Sequence, residues 1–265
     1  MTIPADPRLA AAATLLRLHR REVTGLAAQL VVIAKAPVPG RVKTRLTPPF
    51  SPRQAAQLAE AALTDTLAAV AQVSVARRVL ALDGPPGGWL PASFDVVRQR
   101  GAGLDKRIAA ALGDAYARLP VPVVLIGMDT PQVTPGLLES AIRPLAAGTA
   151  DAVFGPAADG GFWLLGLRQP DPRLVAGVPM SAAVTGAAQL ARLAAAGLRV
   201  HQMRCCTDVD NVADAVAVAR EAPHSRFAAA LRTIAPDRMR PGTGRQPRSG
   251  HALTTLLPAG PCTAR

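Results

Sequence analysis

Two kinds of segment alternate along the middle of the chain, and their hydrophobic patterns predict its elements. Residues 30–34 (LVVIA), 121–127 (VPVVLIG), 152–155 (AVFG) and 162–167 (FWLLGL) are apolar throughout. Runs of that length and β-branched content predict strands buried on both faces. Shorter strands are predicted at 78–82, 94–98 and 199–203. Between them lie Ala- and Leu-rich stretches with helix signals. Ser51-Pro52 opens a helix to about residue 70, with Ser as N-cap and Pro in the first turn. Further helices are predicted at 104–119, at 135–147, at 181–196 with Gly197 as its stop, and from a cap in 207–211 to about 222. This alternation predicts an α/β fold, a three-layer α/β/α arrangement around a mostly parallel sheet. The strand at 162–167 follows a turn rather than a helix, so it is expected to run antiparallel.

The two ends read differently. Residues 7–28 pattern as an Ala/Leu/Arg helix, so 1–28 is taken as a helical extension ahead of one domain at 29–222. Residues 223–265 hold six Pro, four Gly and seven Arg with no sustained apolar period beyond a short helix near 227–234, and are expected to form a disordered basic tail. The formal charge of +12 is concentrated in these ends, which carry +6 (223–265) and +2 (1–28). With aromatics at only 3% there is little material for stacking bases, which argues against a dedicated nucleic-acid binder. Three cysteines, at 205, 206 and 262, form neither a disulfide framework nor a C-x-x-C knuckle. A reducing cytoplasm is the expected location. No apolar run reaches the length of a membrane span.

The stretch that follows the first strand changes the picture. Pro37, Pro39 and Gly40 break regular structure just where Lys35, Arg41, Lys43 and Arg45 cluster. The chain has 27 Arg and only three Lys (35, 43 and 106), two of them in this loop. A lysine kept in an Arg-rich chain suggests a need for a compact charge on a flexible stem. A cationic loop at the carboxyl end of a buried strand suits a phosphate, although a solvated basic loop gives the same pattern. The loop is not a P-loop, because it lacks the adjacent Gly-Lys pair, and no G-x-G-x-x-G is present.

Acidic residues fall at the same predicted edge. Asp129 closes the strand at 121–127, and Asp208 and Asp210 follow the last strand. Carboxylates ending separate strands can converge on a hard divalent cation that neutralises phosphates. Helix capping by Asp208 or Asp210, and a plain turn at Asp129, are the competing uses. In the turn Asp159-Gly160-Gly161, the carboxylate could take the proton of an attacking hydroxyl, and the glycines would admit a substrate close to the backbone. Asp-Gly also serves simply to close turns.

Four segments in order, AKAPVPGRVKTRL, IGMDTP, GPAADGGFWLLGL and DVDN, resemble a bacterial family of GT-A-type, glycosyltransferase-like proteins of unknown substrate. That family is similar in turn to guanylyltransferases acting on phospholactate or phosphoenolpyruvate and to molybdopterin-cofactor nucleotidyltransferases. The resemblance spans residues 30–222 and implies a nucleotide-diphospho-sugar transferase fold. It implies that Lys35, Arg41, Lys43, Arg45 and Arg107 bind the nucleotide phosphates, and that Asp129 and Asp210 hold Mg²⁺ or Mn²⁺. It also implies catalytic roles for Asp129 and Asp159, with Gly160, Gly161, Phe162 and Ser181 on the acceptor side. The expected partners are a nucleotide or nucleotide-sugar donor and a small acceptor. The activity implied is glycosyl transfer from a nucleoside-diphosphate sugar. The alternatives are nucleotidyl transfer to a small phosphorylated acid with pyrophosphate release, and a non-catalytic nucleotide sensor.

Overall fold

A computed structural model describes residues 25–239. The helix expected over residues 7–28 falls mostly outside them. Its last residues are not helical, because the first strand already runs at Leu26–Lys35 (β1). The remaining strands are Val75–Asp83 (β2), Asp95–Arg98 (β3), Val123–Gly127 (β4), Ala152–Pro156 (β5), Phe162–Leu167 (β6) and Val200–Gln202 (β7). They form a single sheet in the order β3-β2-β1-β4-β6-β5-β7. β6 runs antiparallel to both of its neighbours, β4 and β5, as its approach through a turn predicts, and all other pairs are parallel.

The helices are Pro52–Gln72 (α1), Leu104–Arg118 (α2), Pro135–Ala146 (α3), Thr185–Ala195 (α4), Val212–Glu221 (α5), Arg226–Ile234 (α6) and Pro236–Met239 (α7). Period-2 alternation along the buried strands sends successive side chains to opposite faces. Leu30, Val32, Leu80, Leu82, Val124 and Ile126 pack under α1 and α3 with Leu63, Leu67, Leu138 and Ile142. Val31, Val79, Ala81, Val123 and Leu125 pack on the other face under α2, with Ile108 and Leu112. The expected three layers are therefore present. None of the helices among the described residues is long and apolar enough to cross a membrane.

Residues 223–239 depart from the tail expected there. Ser51 and Gln54 close α1 in a capping box, and the helix is buried on two sides. Its far face (Ala55, Leu58, Ala62), with Leu46 and Phe50, packs against Val218 of α5 and Phe227, Ala228 and Leu231 of α6. The carboxylate of Asp65 on α1 accepts the backbone N–H groups of Arg226 (3.1 Å) and Phe227 (2.8 Å), capping the start of α6. The short helix expected near 227–234 is present at Arg226–Ile234, and its apolar residues cover α1. The part of the expected tail beyond 239 lies outside the described residues.

The domain therefore requires α6. Phe227 is fully buried, so Phe227→Ala should lower stability by about 3–5 kcal/mol in urea denaturation, and truncation after Ala222 should cost at least as much. Cooperative unfolding at unchanged denaturant midpoint in either variant would show that α6 is not part of the core.

Candidate active site

In parallel sheets, binding clefts form beyond the carboxyl ends of strands where the chain order reverses direction. Here β1 has β2 on one side and β4 on the other. A cleft of about 960 Å³ opens at that point, lined by the loop after β1, the start of α2, the turn after β4, the Asp159 turn, the segment before α4 and the segment before α5. Lys35, Arg41, Lys43, Arg45, Arg107, Asp129, Asp159, Gly161, Phe162, Ser181 and Asp210 all border it. The elements that carry these residues are far apart in the chain but share one edge of the sheet. Gly160 does not border it.

Lys43 is not the solvated loop cation of the competing reading. Its side chain is only 8% exposed, and its ammonium lies 2.7 Å from Asp129 Oδ2 and 3.8 Å from Asp210 Oδ1. It also donates to the carbonyl of Val209. Its backbone is left-handed, at φ 49°, and is flanked by buried Val42 and Leu46. Arg45, 70% exposed, pairs with the other oxygen of Asp210 at 2.7 Å. The segment carrying Asp210 is tied to β4 through the backbone, since Val209 N donates to the Asp129 carbonyl at 3.1 Å. Gln132 adds a second tie by donating to the Thr207 carbonyl at 2.7 Å.

Capping does not explain Asp208 and Asp210. Asn211 is the N-cap of α5, and Asp214 returns the bond to complete a capping box. Asn211 followed three residues later by Asp214 was a readable signal for this. Asp208 is held above the usual carboxylate range. Its burial, with Asp129 and Asp159 as further negative neighbours and Lys43 opposing them, pushes it up to about 7. Buried Asp208 Oδ1 and Asp129 Oδ1 have no hydrogen-bond partner, which is costly unless a ligand supplies one. Among the described residues no group of three or more His, Cys, Asp or Glu is arranged as a metal cage. Asp129 and Asp210 instead lie beside the Lys43 ammonium.

Of the other cations, Lys35 and Arg41 are exposed at the mouth. Arg107 bonds Asp83 at 2.8 Å, and Gln99 beside it holds the Ala34 and Ala81 carbonyls at 2.8 and 2.9 Å, joining the ends of β1 and β2. The lining also includes the apolar side chains of Leu104, Ile108, Phe162 and Met180. Trp163 turns inward and is 2% exposed, its Nε1 donating to the Arg204 carbonyl at 3.1 Å.

The Asp159 turn is shaped by packing. Asp159 Oδ1 accepts the Gly161 N–H at 2.8 Å. Gly160 has φ 88°, and a Cβ there would lie 2.1 Å from the Ala183 carbonyl oxygen. The expectation that both glycines admit a substrate is thus corrected for Gly160, whose missing side chain makes room for the protein's own backbone. The close approach is fixed by Gly186 N donating to the Gly160 carbonyl at 2.8 Å. It also explains why α4 begins at Thr185 rather than 181: Ser181, at φ 58°, lies in the segment that folds over this turn. Gly160→Ala should therefore cost roughly 2 kcal/mol or more. Gly161→Ala, whose Cβ would meet only Asp159 Oδ1 at 3.0 Å, should cost less. Equal melting temperatures for the two variants would contradict this packing.

A family model described as "Uncharacterized protein conserved in bacteria (DUF2064)" matches residues 58–182. No curated protein matches the sequence. Among solved structures, the chain is similar to a "putative nucleotide-diphospho-sugar transferase" from Desulfovibrio desulfuricans G20, with 27% identity, 78% of this chain and 94% of that chain covered, and a TM-score of 0.72. It is similar at greater distance to 2-C-methyl-D-erythritol 4-phosphate cytidylyltransferase from Thermus thermophilus, with 18% identity, coverage of 76% and 100%, and a TM-score of 0.44. A Mycobacterium tuberculosis H37Rv protein solved with manganese gives 22%, 74% and 98%, and 0.42. The latter two are too remote to inform the chemistry. The resemblance and fold expected from the motifs are borne out. The Lys43 loop and the segment before α5 lie outside the residues matched by the family model.

Proposed function

We propose that the protein is a transferase that uses a nucleotide-activated donor, moving a sugar from a nucleoside-diphosphate sugar to an acceptor hydroxyl. The observation that carries this reading is one cleft whose lining gathers cations, carboxylates and apolar side chains at the carboxyl ends of the strands. Likeness to a described nucleotide-diphospho-sugar transferase supports it.

On the donor side, Lys35, Arg41 and Arg45 offer charge to the diphosphate. Asp129, Asp208 and Asp210 are the groups that fit Mg²⁺ or Mn²⁺, because two of their buried oxygens have no partner and hard cations take carboxylate oxygens. Such an ion, when bound, would neutralise charge that builds on the leaving diphosphate. In the same cleft Asp159 has Oδ1 engaged by Gly161 N–H, leaving Oδ2 to accept the proton of the acceptor hydroxyl as its oxygen bonds the anomeric carbon and the bond to the diphosphate breaks.

The apolar part of the lining favours sugar transfer over nucleotidyl transfer to a phosphorylated acid. A phosphorylated acid needs a cation beside it, yet Arg107, which lines the cleft with Leu104 and Ile108, is already paired with Asp83.

A thermal-shift panel of nucleotides and nucleotide sugars, with and without Mn²⁺, tests the assignment. A true donor at ~100 times its dissociation constant should add about 2.7 kcal/mol, a rise of roughly 5–10 °C for a domain of this size. Asp159→Asn keeps the turn, since Asn can accept the same N–H, and should preserve that shift while losing ~10² to 10⁴ in transfer rate. Pyrophosphate release from a nucleoside triphosphate, with no nucleoside diphosphate formed from any sugar nucleotide, would overturn the reading.

A further inference from the structure

We propose that Lys43 is the resident counter-ion of the carboxylate cluster, and that a divalent cation enters by displacing its ammonium, which is then released toward the donor's phosphates. This rests on the reading above that Asp129, Asp208 and Asp210 hold the metal, and adds that the site is held closed to metal by the protein's own cation.

The geometry makes Lys43 and a metal ion competitors for one set of oxygens. Its ammonium touches Asp129 Oδ2 at 2.7 Å, stands 3.8 Å from Asp210 Oδ1 and bonds the Val209 carbonyl, with the side chain almost wholly removed from solvent. Those are oxygens of the kind a hard divalent cation selects. The neutralisation achieved by Lys43 is incomplete. Asp129, Asp159, Asp208 and Asp210 share the cleft lining with Lys43 and Arg45, and Asp129 Oδ1 and Asp208 Oδ1 stay buried without a partner. A doubly charged ion with six or more oxygen ligands can engage what a single ammonium leaves over.

The loop is suited to the exchange. Val42 and Leu46 are buried on either side of Lys43, and Arg41 N donates to Val38 O at 3.0 Å and Leu46 N to Lys43 O at 2.9 Å. The backbone is thus anchored while the four-carbon stem can swing. An arginine fork would match a carboxylate in two-point fashion and be harder to displace. That accounts for a lysine at this point in a chain with 27 Arg and three Lys.

Two measurements on the full-length protein test the exchange. In the first, amines are acetylated with and without Mg²⁺, no nucleotide present, and read by peptide mass spectrometry; Lys35 and Lys106 are internal references. Lys43 should label slowly alone and several-fold faster with saturating Mg²⁺, while Lys106 stays constant. Unchanged or slower labelling of Lys43 would overturn the proposal. In the second, Mn²⁺ is titrated by electron paramagnetic resonance into wild type and Lys43→Met. The variant should bind Mn²⁺ on the order of tenfold more tightly, equivalent to about 1.4 kcal/mol. Equal or weaker binding by the variant, with wild type binding normally, would overturn the exchange alone. Absence of Mn²⁺ binding in both would overturn the exchange and the metal reading together. Because the labelling uses wild type, a misfolded variant does not leave the question open.

Discussion

The ammonium of Lys43, held among Asp129, Asp210 and the Val209 carbonyl, is the interaction on which the cleft depends. It joins the loop after β1, the end of β4 and the segment before α5, which are separated by scores of residues in the chain. Its partners are only partly exposed, so the attraction is screened less than that of a surface pair. Removing one partner leaves charge in a place where water compensates poorly. The backbone bond between Val209 and Asp129 and the Gln132 bond to the Thr207 carbonyl reinforce the same junction, so the carboxylates are set by a network rather than by a single contact.

Around this junction the fold divides labour between packing and chemistry. Both faces of β1 and β4 are consumed by helices, which leaves their carboxyl ends as the place where polar side chains can collect. Gly160 shows how closely the two demands interlock, since the turn that presents Asp159 also receives the Ala183 carbonyl at a distance no side chain would allow. On the far side of α1, outside the three layers, α6 packs with Phe227, which steadies the helix that follows the Lys43 loop.

Much of the architecture was legible because uniform apolar runs have few alternatives. The strand at 162–167 and its antiparallel sense follow from an Asp-Gly-Gly turn with no helix before it. What stayed hidden depended on contacts between distant residues. The burial of Lys43 could not be read from a loop that also contains exposed Arg41 and Arg45. β1 begins at Leu26 although the preceding Ala/Leu/Arg pattern reads as helix, because pairing with β2 overrides local propensity. The helix at 226–234 was readable, but its packing on α1 was not, because Arg and Pro surround a short apolar face. Asp208, first weighed as a cap, emerges as the buried carboxyl only once the Asn211–Asp214 box is seen to do the capping.

The most direct test of this account is a double-mutant cycle in urea denaturation, without metal, on Lys43→Met and Asp129→Asn. If the ammonium and the carboxylate are coupled as their 2.7 Å separation implies, the double variant should lose less stability than the two single losses together, by roughly 1–3 kcal/mol. Single losses that add to within ~0.5 kcal/mol would mean that the pair contributes nothing of its own, contradicting the claim that it organises the cleft.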